Sequence, residues 1–193
     1  MQTKPDGGKK FTTARIILAG TALIGIVWAG TFASFSDSGE ASSTFTAGTI
    51  DLLVGGDPDD SYAFTSLEMQ NIKPGDVKYA PLTVTNSGTL NLSYTMTTSA
   101  TNPDTKELRD TLALEARTVA NEAACDSGGS GFNASTTTVI PSGALSAAAI
   151  SARTLSAGAS EVLCFKVALP SSAGDALQGA TTVATFSFTG TQV

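Results

Sequence analysis

The sequence predicts an all-β fold, an antiparallel β-sandwich or jelly roll with one or two short helical turns. Three observations predict it. Apolar residues recur at every second position in short runs. Those runs are rich in Thr, Val, Leu and Phe. Asn, Gly, Ser and Pro interrupt them at near-regular intervals. Alternation with period two turns one strand face inward and the other to solvent, and many short strands of this kind build two packed sheets.

The elements follow in order. Thr49 to Val54 reads as a first strand, and Gly55 to Ser61 as an exposed loop or linker. Leu82-Thr83-Val84-Thr85 alternates, and Asn86-Ser87-Gly88-Thr89 turns the chain. Leu90, Leu92, Tyr94 and Met96 share one face of the next strand. Asp104 to Asp110 supplies the helical turns, with Asn102 or Asp104 near the cap. Leu112 to Val119 returns to strand. Residues 120–137, rich in Gly, Ser, Asn and Thr, read as a long loop around Cys125. Ala144 to Thr154 is ambiguous between an Ala-rich helix and a strand alternating at Ile150, Ala152 and Thr154. Glu161 to Leu169 is a buried strand ended by Pro170. Thr181 to Thr189 closes the chain, with Phe186 and Phe188 on one face and read as core.

The chain also carries a leader. Lys4, Lys9, Lys10 and Arg15 form a basic start, and an apolar run covers Ile16 to Ala33. Small residues Thr31 and Ala33 fit the pocket of a signal peptidase, which places cleavage between Ala33 and Ser34. The alternative is a retained membrane anchor, although Gly and Thr dilute the run. Residues 1–33 are therefore the signal peptide and 34–193 a single sandwich domain; membrane contact is expected only through the uncleaved leader. Cleavage removes four of the 11 basic residues and one of the 17 acids, so net charge moves from −6 to −9. An acidic surface argues against nucleic acid and anionic lipid as partners. Export would put Cys125 and Cys164 where a disulfide persists; free buried thiols or an intermolecular bridge are the alternatives.

The sequence contains no histidine. That removes the His-Glu-x-x-His zinc arrangement and the triads that use a histidine base, so no catalytic residue, metal site or cofactor is expected. Asp57, Asp59 and Asp60 cluster in a Gly-rich loop, but without EF-hand spacing they read as a solvated acidic loop. Leu169-Pro170-Ser171-Ser172-Ala173 matches a sortase signal only in part, and no apolar tail follows it.

Five segments carry a family resemblance. They are Thr31-Phe32-Ala33-Ser34-Phe35-Ser36-Asp37, Phe45-Thr46-Ala47-Gly48-Thr49-Ile50-Asp51-Leu52, Asn71-Ile72-Lys73-Pro74-Gly75-Asp76, Leu82 to Leu90, and Phe186 to Gln192. In their order and spacing the chain resembles the TasA/camelysin family, secreted matrix-fibre proteins processed by the signal peptidase SipW. The resemblance implies a jelly-roll sandwich and a structural role in the biofilm matrix or on the cell surface. It also implies that residues 34–46, freed by cleavage, add as a donor strand to the next subunit, with Phe35 and Phe45 as anchors. The partners would be the signal peptidase during export and the chain itself, head to tail. Part of the family has been described as metalloendopeptidases, which the missing histidines oppose. A monomeric secreted adhesion or binding module is the second reading. The chain is shorter than the long fibre-forming members, and its cysteine pair is not a family hallmark.

Overall fold

The computed structural model describes residues 43–44, 46–57 and 62–193. The leader, the Ala33–Ser34 cleavage site, Phe35, Phe45, Asp59 and Asp60 lie outside the described residues. Among those described, eight strands occur: β1 (Leu52–Val54), β2 (Val77–Asn86), β3 (Leu92–Thr101), β4 (Ala113–Val119), β5 (Thr138–Ala144), β6 (Ala149–Leu155), β7 (Ser160–Ala168) and β8 (Val183–Gln192). Two short helices join them, α1 (Leu108–Thr111) and α2 (Ser130–Ala134). The strands form two antiparallel sheets, ordered β1-β2-β7-β4-β5 and β6-β3-β8. The all-β sandwich expected from alternation is the fold.

Alternation explains the layers. In β2, Ala80, Leu82 and Val84 are buried while Tyr79, Pro81 and Thr83 lie on the opposite face. In β3, Leu92, Tyr94 and Met96 are fully buried, and in β7 Leu163, Phe165 and Val167 point inward. These faces interlock with Leu114, Ala116, Ile140 and Ile150 to make the core. Each large apolar side chain removed from water contributes about 1.5–3 kcal/mol before entropy is counted.

Two polar groups inside this core are fully partnered. Asn86 donates through Nδ2 to the carbonyls of Leu90 (2.8 Å) and Leu155 (3.1 Å) and accepts from the Gly88 amide (3.1 Å). It thereby ties the turn after β2 to the end of β6. Tyr94 of β3 donates its hydroxyl to Glu161 of β7 at 2.7 Å, and Arg153 of β6 holds the same carboxylate. Burial, reinforced by Glu161, pushes the Tyr94 hydroxyl well above the usual phenol range, so it stays a neutral donor bridging the two sheets.

Turns follow local chemistry. Lys73-Pro74-Gly75-Asp76 is closed by the Asp76 amide donating to Lys73 O at 3.0 Å, and Gly75 sits at φ +93°, where a side chain would be strained. The Lys73 side chain and amide donate to Asp76 and hold its carboxyl below the usual range. The N-cap of α1 is Glu107, without a side-chain cap; Asn102, read from sequence as near the cap, accepts from the Arg109 amide, and Asp104 accepts from the Lys106 amide ahead of the helix.

The structure departs from the sequence reading in several places: β2 begins at Val77 rather than Leu82, and α1 covers Leu108–Thr111 rather than Asp104–Asp110. β1 begins at Leu52 rather than Thr49. The ambiguous 144–154 stretch is a short 3-10 turn followed by β6, which buries Ile150 and Leu155 rather than a regular alternation. The 120–137 stretch is a folded cap and not an open loop. It contains a 3-10 turn, α2 and a fully buried Phe132. Cys125 and Cys164 are joined by a disulfide that anchors this cap to the outer face of the five-stranded sheet. Phe132 packs there against Tyr79, with Arg117 stacked 4.7 Å from its ring centroid.

The disulfide closes a separation of 39 residues, so replacing both cysteines by alanine is expected to lower stability by about 3–4 kcal/mol. Urea unfolding of the double variant measures this. The loss should be accompanied by fast proteolysis confined to 120–137.

Candidate functional site: an open sheet edge

A jelly roll wraps one long antiparallel ribbon, in which strand 1 pairs with 8, 2 with 7, 3 with 6 and 4 with 5. Three of these pairs are present: β2 with β7, β3 with β6 and β4 with β5. The fourth is not among the described residues. β1 pairs with β2 instead, and β8 is bonded to β3 along Val183–Gln192 on one edge only. β8 is therefore a ten-residue strand whose second row of amides and carbonyls has no sheet partner among the described residues.

Its composition singles it out from the other edges. β1 is three residues long, β5 carries Pro141 and register shifts, and β6 carries Arg153. Short strands, proline, bulges and charge are the devices that keep an edge from pairing with another chain. β8, Val-Ala-Thr-Phe-Ser-Phe-Thr-Gly-Thr-Gln, contains neither charge nor proline.

The two sides of the sandwich also differ. On the β5/β6 side the chain crosses directly between the sheets through Leu145–Ala147. The Leu145 amide donates to Leu112 O at 2.9 Å, and Thr98 Oγ1 donates to the carbonyls of Leu145 and Ala148 at 2.6 and 2.9 Å. On the β1/β8 side a groove remains. Phe186 and Phe188 face inward, as the alternation requires, but they are only half-buried rather than closed in the core. Phe64 wedges between the sheets, 5.6 Å from Phe165 and 5.8 Å from Phe186, both edge-to-face. Phe165 and Phe186 themselves meet at 5.4 Å.

Two clefts flank this aromatic wedge. One, of about 1000 Å³, lies beside Thr181–Ala184 and is walled by Phe64, Leu67, Ile72 and Leu177. The other, of about 670 Å³, lies beside Thr185–Gly190 and is walled by Ile50, Leu52 and Tyr62. Leu52 lies beside Gly190; a Cβ at that glycine would meet the Leu52 side chain at 3.4 Å, an ordinary van der Waals contact.

The chain enters the domain beside the same groove. Thr49 O accepts from the amides of Thr89 and Leu90 at 2.9 and 3.1 Å, and the Thr49 amide donates to Thr89 Oγ1 at 2.9 Å. This clamp fixes residues 49–51 next to the start of β3, where β8 ends.

Of the residues singled out from sequence, Phe186 and Phe188 line the groove, while Cys125 and Cys164 lie on the outer face of the other sheet, away from it. Phe64 was not singled out; the short Tyr62-Ala63-Phe64 apolar group after an acidic loop was the available signal. Asp57 belongs to the second cleft. Among the described residues no group of three or more His, Cys, Asp or Glu side chains could hold a metal ion. Among them, too, no helix is long and apolar enough to cross a membrane.

The camelysin metallo-endopeptidase family profile matches residues 9–114, more than half of the chain. That span runs from the leader through β1, β2, β3 and α1. No curated protein matches the chain.

The wedge makes a measurable prediction. A double-mutant cycle on Phe64→Leu and Phe186→Leu, read by urea unfolding, should give a coupling of about 0.5–1.5 kcal/mol. Additive losses would mean that Phe64 does not close the groove in solution.

Proposed function

We propose, from the premise that the chain belongs to the camelysin metallo-endopeptidase family, that it is a structural protein which assembles into fibres by donating residues 34–46 to β8 of a neighbouring copy. Membership of the family suggests a secreted or cell-surface protein. The finer reading is a matrix or cell-surface fibre, with cleavage between Ala33 and Ser34 as the step that frees the donor.

The observation that carries it is the pairing of a ten-residue, uncharged β8 on one side only among the described residues. Strand addition satisfies the open row of backbone groups, and alternate side chains fill the groove. The clamp at Thr49 holds the chain next to the start of β3 through Thr89 and Leu90, so donation of the segment before it would leave these bonds in place. Donor and acceptor are different surfaces of one chain. The contact is therefore heterologous and need not close, which yields filaments.

A peptidase mechanism finds no support in the donor set. The sequence lacks histidine, both cysteines are bonded to each other, and the described acids do not cluster. These residues do not fit a catalytic zinc site, which uses histidine, carboxylate or thiolate ligands around an open position.

Protein beginning at Ser34, compared with the same protein lacking 34–46, tests the proposal by size-exclusion chromatography and negative-stain microscopy. Filaments are expected from the first alone. Ser187→Lys, on the exposed face of β8, should leave stability within about 0.5 kcal/mol and reduce assembly. Monomers from every form would favour a secreted binding module instead.

A further inference from the structure

The donor segment has a pattern that the groove can read. Its even positions, Ser34, Ser36, Ser38, Glu40, Ser42, Thr44 and Thr46, are all polar. Its odd positions are Phe35, Asp37, Gly39, Ala41, Ser43 and Phe45. In an extended strand these sets face opposite ways. The odd face is therefore large at both ends and small in the middle, and its one charge, Asp37, sits beside the terminal Phe35.

The acceptor has the complementary profile. Its middle is filled by the half-buried Phe186 and Phe188 with Phe64 and Tyr62 beside them. The cleft beside Thr181–Ala184 opens one end, and the cleft beside Thr185–Gly190 runs from the aromatic middle toward the other. Phe35 and Phe45 stand ten residues apart, roughly 33 Å along a strand. β8, from Val183 to Gln192, is ten residues long, so an added strand of that length places the two phenyls near its two ends.

We infer that the groove beside β8 recognises a second copy of this chain by the spacing of two aromatic anchors, one phenyl in each cleft, with Gly39, Ala41 and Ser43 passing over the aromatic middle. This rests on the strand-donation reading and adds its register. The odd donor residues oppose Ala184, Phe186, Phe188 and Gly190, the inward positions of β8. The anchors set the register because the backbone ladder alone would accept any shift of two residues without changing which face points inward.

The test lengthens the donor by two residues. A Gly-Ser pair inserted between Gly39 and Glu40, in protein beginning at Ser34, keeps both faces but moves the anchors to a spacing of twelve. Assembly should weaken at least tenfold in critical concentration, about as much as in Phe35→Ala. Removing Ser42 and Ser43 from the inserted variant restores a spacing of ten and should restore filaments. If the insertion assembles like the parent, the spacing rule is wrong while strand donation stands. If the parent itself stays monomeric under all conditions, strand donation fails and this register fails with it. The insertion lies outside the described domain, so circular dichroism of the monomers should be unchanged.

Discussion

The antiparallel pairing of β2 with β7 is the interaction on which the rest of the fold depends. It runs without interruption from Val77–Ala168 to Thr85–Ser160. Once it is fixed, the pairing of β4 with β5 follows from a connection that carries only the disulfide-tied cap, and that of β3 with β6 from the chain crossing at Leu145–Ala147. Nested pairs of this kind leave one outermost pair to be made by strand 1 and strand 8. Here strand 1 lies on β2, so among the described residues the nesting stops one pair short, and β8, paired there with β3 alone, is long, uncharged and aromatic on its inner face.

That incompleteness has a physical cost that the protein meets unevenly. Edge backbone groups can be satisfied by water, so an open edge alone is tolerated. Half-buried phenyl rings are another matter. Phe186 and Phe188 expose apolar area that a covering strand would remove from water, at about 25 cal/mol for each Å². Phe64 supplies part of that cover from within the same chain, edge-on to Phe165 and Phe186. An incoming strand has the remainder to gain, together with the backbone ladder. The opposite flank offers no such gain, because the crossing turn and Thr98 already close it.

Much of this was legible in the sequence, for identifiable reasons. Strict alternation at Leu92, Tyr94 and Met96 marked a strand with one buried face, and the near-continuous apolar run at Val162–Phe165 marked a buried strand. The Lys-Pro-Gly-Asp turn announced itself through the residue types that a positive φ requires. The 120–137 cap was hidden because its order comes from tertiary contacts: a disulfide, a single phenyl ring and an arginine stacked on it, in a stretch whose local composition favours a loop. β1 and β6 were blurred at their ends by weak local preference. The open edge itself could not be read from sequence at all. Alternation reports which face of β8 is buried, while its number of partners depends on where Leu52–Val54 is placed by the turn at 86–90.

The central claim is that β8 is the surface completed when copies associate. Amide hydrogen exchange on the processed chain, compared between monomer and assembled protein, tests it most directly. The account predicts that those β8 amides not bonded to β3 exchange much more slowly after assembly, while the β5 and β6 edges are unchanged. Protection that appears on β6 or β5, with β8 exchanging as fast as in the monomer, would contradict it.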